Sequence, residues 1–71
     1  MKDFRGKELK EGDIVAFFEC TSTRAGRFIE AQVVGSCKRG GYVCVEMKVL
    51  SGRPYDIGTI EVRAEHNVAK L

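Results

Sequence analysis

The stretch that decides the fold is Lys38-Arg39-Gly40-Gly41-Tyr42-Val43-Cys44-Val45-Glu46-Met47-Lys48-Val49-Leu50. From Tyr42 to Leu50 the residues alternate strictly: Val43, Val45, Met47 and Val49 form one apolar set, and Cys44, Glu46 and Lys48 lie between them. A period of two is that of a strand with one face buried, and the preceding Gly-Gly suits a tight turn that matches the twist of antiparallel strands. The segment therefore reads as the second arm of a hairpin.

Working outward, Arg27 to Gly35 is the first arm, with Ile29, Ala31 and Val33 on its buried face. Before it, a polar connection from Thr21 to Gly26 follows a strand from Asp13 to Cys20. That strand is ambiguous: Ile14, Ala16, Phe18 and Cys20 share one face, Val15 and Phe17 the other, and a slip of one residue exchanges the two sets. We take Phe17 as the surface aromatic. Glu11-Gly12-Asp13 is a turn, and Leu9 plugs one end of the core. On the other side, the loop Ser51 to Tyr55 leads to a strand from about Ile57 to Arg63 that buries Ile60 and Val62 and turns Glu61 and Arg63 to water. Gly58 marks a bulge or a close approach. The tail from Ala64 to Leu71 is too short for a stable helix and suits one helical turn followed by a last strand, with Val68 or Leu71 closing the core.

The expectation is an all-β chain forming one domain over residues 1–71. At 71 residues and 44% hydrophobic composition, there is enough apolar surface for one core and no room for a second. No apolar run approaches the roughly 20 residues that cross a bilayer, and the N-terminus lacks the hydrophobic segment of a signal peptide, so no membrane partner is expected and the protein reads as cytoplasmic.

The order of these elements resembles the SH3-like barrel family: a turn with Gly12-Asp13 entering a strand, three meander strands, and a single turn ending in Asn67-Val68. The opening Asp3-Phe4-Arg5-Gly6-Lys7-Glu8-Leu9-Lys10-Glu11-Gly12-Asp13-Ile14-Val15-Ala16 is similar to that of small bacteriophage-encoded proteins of the same architecture. The resemblance implies a small five-stranded SH3-like barrel with a short helical turn before the last strand. Signalling SH3 domains take proline-rich peptides in a groove built around tryptophan, and this chain has no tryptophan. Tudor-like relatives cage methylated lysine or arginine among aromatics, for which Phe17, Tyr42 and Tyr55 are the available rings.

Chemistry is sparse. His66 is the only imidazole, Cys20, Cys37 and Cys44 do not have metal-site spacing, and no phosphate-cradling glycine loop occurs, so we expect no catalytic residues, no metal and no cofactor. The cysteines read as small apolar side chains on strands, with a reactive thiol or an intermolecular disulfide as the other reading. Glu8 and Glu11 flank an exposed turn.

The net charge of +2 is unevenly spread: residues 31–53 carry four basic side chains against one acidic. Two binding modes follow. In the first, a protein partner docks on Phe17, Phe28 and Tyr55. In the second, nucleic acid binds a basic hairpin tip through Arg24, Arg27, Lys38, Arg39, Tyr42 and Lys48, with the tyrosine stacking on a base. A self-associating structural protein is the third. We rank the non-enzymatic protein-binding module first.

Overall fold

The computed structural model describes residues 1–21, 24–51 and 57–71, with the backbone alone for 20, 21 and 24–27. The strands are β1 (Ile14–Thr21), β2 (Arg24–Arg39), β3 (Tyr42–Ser51), β4 (Ile60–Ala64) and β5 (Val68–Lys70), and a 3-10 turn, Glu65–Asn67, separates the last two. All pairings are antiparallel in one sheet of order β4-β3-β2-β1-β5. The ladder is open, because β4 and β5 occupy opposite edges of the sheet. No α-helix occurs among the described residues, and no helix is long and apolar enough to cross a membrane.

The hairpin predicted between β2 and β3 is present: Arg39 pairs with Tyr42 across Gly40-Gly41, whose φ angles of 57° and 84° only glycine adopts freely. The inward sets also hold. Val45, Met47 and Val49 of β3 are fully buried against Ile29, Ala31 and Val33 of β2, while Val43 is half-buried near the turn. Val15 and Phe17 of β1, Val68 of β5 and Leu9 complete the core.

β2 is longer than the expected Arg27 to Gly35, because the pairing skips Val34 and resumes at Gly35 without ending the strand. The register shifts between Val33, which faces Met47, and Gly35, which faces Glu46. Val34 is the extra residue of this bulge and is exposed, and the bulge lets a 16-residue strand bend and serve both halves of the sheet.

The structure corrects the expectations for β1, β4 and Cys44, and decides one left open at the C-terminus. In β1 the buried face is Val15 and Phe17, the latter 0% exposed, so the aromatic at the surface is Phe18. In β4, which starts at Ile60 and not Ile57, Ile60 is 55% exposed and Val62 only half-buried. Glu61 and Arg63 instead stand opposite the core residues Met47 and Val45. Of the two candidates for closing the core at the C-terminus, Val68 does so and Leu71 is exposed. Cys44, expected among the outward set, is buried at 6%.

Arg63 explains how charges can sit on that face of β4. Its guanidinium lies 4.9 Å from the centre of the Phe17 ring and bonds Glu19 of β1 at 2.8 Å and Glu61 at 2.9 Å. A planar cation can cover an aromatic face and satisfy two carboxylates at once, so one side chain shields the core and ties β4 to β1.

Candidate functional site: an apolar groove on β1, β2 and β5

The N-terminal segment folds back around one carboxylate. Asp3, 4% exposed, accepts the backbone N–H groups of Arg5 (2.9 Å) and Lys7 (2.8 Å) on Oδ1 and that of Lys70 (3.0 Å) on Oδ2. The Phe4 N–H donates to the Val68 carbonyl at 2.8 Å, and Gly6 turns the chain with φ 83°. The Lys70 N–H does most to hold the Asp3 carboxyl below its ordinary value. Desolvation opposes it, and the N–H groups of Lys7 and Arg5 and the Arg5 charge add to it. The result is a loop riveted to β5 that holds the Phe4 ring at the surface, 56% exposed, with the Arg5 guanidinium 5.3 Å from its centre.

Phe18 and Phe28 face each other across β1 and β2, with ring centroids 5.3 Å apart and planes at 65°. This edge-to-face geometry is favourable for aromatic pairs. Both rings point away from the core and are 49% and 69% exposed. Beside them Ala16 of β1 pairs with Ala69 of β5. Two small side chains among larger ones leave a depression of about 420 Å³, walled by Phe4, Phe18 and Phe28 and bounded at one end by His66 and Asn67. The same alanines floor a continuation toward Leu71, bordered by Glu30. The surface is apolar and its rim polar, so it is suited to burying apolar side chains of a ligand, and among the described residues lining it no nucleophile and base are held together. Among the described residues no three His, Cys, Asp or Glu side chains are grouped so as to hold a metal.

The sequence-predicted residues fare unequally. Phe28 is at this surface. Phe17 is not, being buried under Arg63, and Phe18 takes the place assigned to it. Tyr55 lies outside the described residues. Phe4 escapes the sequence reading because its placement depends on the bonds of Asp3 and Phe4 to Lys70 and Val68 of β5, more than 60 positions away in sequence, which no local pattern reveals.

The basic set is dispersed. Lys38, Arg39, Tyr42 and Lys48 are all exposed, but Lys38 alternates to the opposite face from Arg39. Tyr42 and Lys48 share a face with Glu46 between them, and the Tyr42 ring packs edge-on against His66 at 5.7 Å. Arg24 and Arg27 are placed by backbone register alone, opposite Thr21 and Glu19.

Fold and groove together define a small antiparallel β protein that carries an exposed aromatic groove. The chain belongs to the family described as a domain of unknown function, DUF7205, which its residues 1–46 match. The matched stretch includes the Asp3 loop, β1, β2 and the first half of β3, hence Phe4, Ala16, Phe18 and Phe28. No curated protein and no solved structure matches the chain.

Proposed function

We propose that this chain is a non-enzymatic interaction module with an SH3-like barrel architecture, and that it binds a protein partner through the groove between Phe4, Phe18 and Phe28. The barrel reading is supported by connectivity. β4 and β5 lie at opposite edges of the sheet, yet only Glu65–Asn67 separates them, so those edges come within about 14 Å of each other at Ala64 and Val68. The Arg63 to Glu19 bond, joining β4 to β1, points the same way. With its opening resembling those of bacteriophage-encoded proteins, the chain acts in this reading in the host cytoplasm on a host protein.

One observation carries the binding proposal. The core is filled by residues between 0% and 3% exposed, so Phe4, Phe18 and Phe28 are not needed to complete it, and they nevertheless gather around one concave surface. Clustered exposed aromatics at a concave surface are the usual anchors of a protein contact. The occupant is an apolar segment of the partner, its flanking polar groups meeting Arg5, Glu30 and His66 at the rim. Nucleic acid is less suited, because the cations are split between faces and Glu46 interrupts them.

The test is capture from bacterial lysate with the tagged chain and with a Phe18→Ser/Phe28→Ser variant. A discrete protein that survives nuclease and high salt and is lost with the variant supports the proposal. Nucleic acid lost on nuclease treatment transfers the function to the basic residues, and a mass that rises with concentration transfers it to self-association.

A further inference from the structure

Cys37 and Cys44 stand directly opposite each other in the β2–β3 ladder, and both are free thiols. Their spacing follows from the turn. In a two-residue hairpin the flanking pair, here Arg39 and Tyr42, exchanges both hydrogen bonds. The next pair, Lys38 and Val43, does not, and Cys37 and Cys44 again do. Facing Cα atoms at such a pair are about 5.5 Å apart, inside the range of roughly 4.4–6.8 Å that a disulfide spans. Their Cβ atoms, about 5 Å apart, must approach to about 3.8 Å for a relaxed bond. A bridge here forms by drawing the two strands together and is strained, which makes it easy to reduce.

The two thiols also differ in access. Cys37 is half-exposed and flanked by Lys38 and Arg39, whereas Cys44 is 6% exposed, its Sγ 3.8 Å from the Tyr42 carbonyl oxygen. An accessible thiol with a buried one facing it is the arrangement of an attacking and a resolving cysteine.

We propose that Cys37 and Cys44 form a reversible dithiol/disulfide site that exchanges with oxidised thiols of the glutathione class. Cys37 loses its proton and attacks one sulfur of the oxidised thiol, forming a mixed disulfide and releasing one thiolate. Cys44 loses its proton and attacks Cys37 Sγ, forming the Cys37–Cys44 bond and releasing the second thiolate. The two protons end on the two released thiols, so the dithiol is oxidised by two electrons and the small disulfide reduced by two. Lys38 and Arg39 favour the approach of an anionic oxidant such as oxidised glutathione. The site is independent of the proposed groove, although Cys44 pairs with Ala64, the residue that precedes the 3-10 turn carrying His66.

The experiment treats the full chain carrying Cys20→Ser with oxidised glutathione, then blocks free thiols with iodoacetamide under denaturing conditions and weighs the product. The expected result is a monomer that takes up no label after oxidation and two labels after reduction by dithiothreitol. With Cys44→Ser added, Cys37 retains a glutathione adduct. With Cys37→Ser instead, Cys44 takes up none. Two labels after oxidation, bridges between chains, or no adduct in the Cys44→Ser variant would overturn the proposal. Peptide mapping of the oxidised wild-type chain provides a check without the Cys20 substitution, and a bridge to Cys20 there would overturn it equally.

Discussion

Replacing Phe17 and Phe18 by alanine, one at a time, probes the register of β1 on which the groove depends. Phe17 is 0% exposed and supports the Arg63 guanidinium, so Phe17→Ala removes a fully buried ring and leaves a cavity, at a cost of about 3–5 kcal/mol. A domain of 71 residues has roughly 4–11 kcal/mol of stability at the usual 0.05–0.15 kcal/mol per residue, so the loss takes at least about a quarter of it and unfolds the variant at the lower end of that range. Phe17→Leu, which keeps most of the apolar volume, costs about 1–2 kcal/mol and keeps the comparison measurable. Phe18 is 49% exposed and meets the ring of Phe28 edge to face, so Phe18→Ala costs about 1 kcal/mol. Urea titrations followed by far-ultraviolet circular dichroism give both values, provided the denaturant slopes agree between variants. A Phe18→Ala cost equal to or above that of Phe17→Ala would refute the register.

Other outcomes follow from the same geometry. Asp3 and Asp13 both have carboxyl pKa values lowered from 3.8, chiefly by the Lys70 and Lys10 backbone N–H groups respectively. With folded values below unfolded ones, their contribution is present above the unfolded pKa and is lost as pH falls through the folded one. Urea midpoints should therefore drop between about pH 5 and pH 2, and less steeply in Asp3→Asn, if pH is varied at constant salt. Arg63→Met leaves Glu19 and Glu61 without their shared cation and is expected to destabilise by about 2 kcal/mol, with a coupling to Glu19→Gln visible in a double-mutant cycle. Phe28→Ser, at a ring 69% exposed, removes the same ring pair and should cost about 1 kcal/mol, like Phe18→Ala, while weakening partner binding.

How far the fold could be read depended on how one-sided each strand is. From Val45 to Val49 in β3 and from Ile29 to Val33 in β2 the apolar residues lie on one face only, so alternation alone places Val45, Met47, Val49, Ile29, Ala31 and Val33 in the core. β1 is apolar on both faces, and only its pairing distinguishes them: Phe17 falls opposite Ile29, already in the inward set, and Phe18 opposite Phe28. Using the inward face of β2 to fix the parity of β1 would have separated the two phenylalanines. β4 misled for a different reason. Alternation treats every charge as outward, whereas Arg63 is held over the core by two carboxylates and an aromatic ring contributed by residues up to 46 positions away. The groove was half legible for the same reasons, with Phe28 found, Phe18 exchanged for its neighbour, and Phe4 dependent on the long-range Asp3 contact with Lys70.

The most direct test of the binding account is quantitative capture by three forms of the tagged chain: wild type, Phe18→Ser/Phe28→Ser, and Lys38→Glu/Arg39→Glu. All three should first give matching circular dichroism. The account expects one protein partner to be held by the wild type and the charge-reversed form, independently of nuclease, and to be lost from the phenylalanine variant. Retention by the phenylalanine variant together with loss from the charge-reversed form would contradict it.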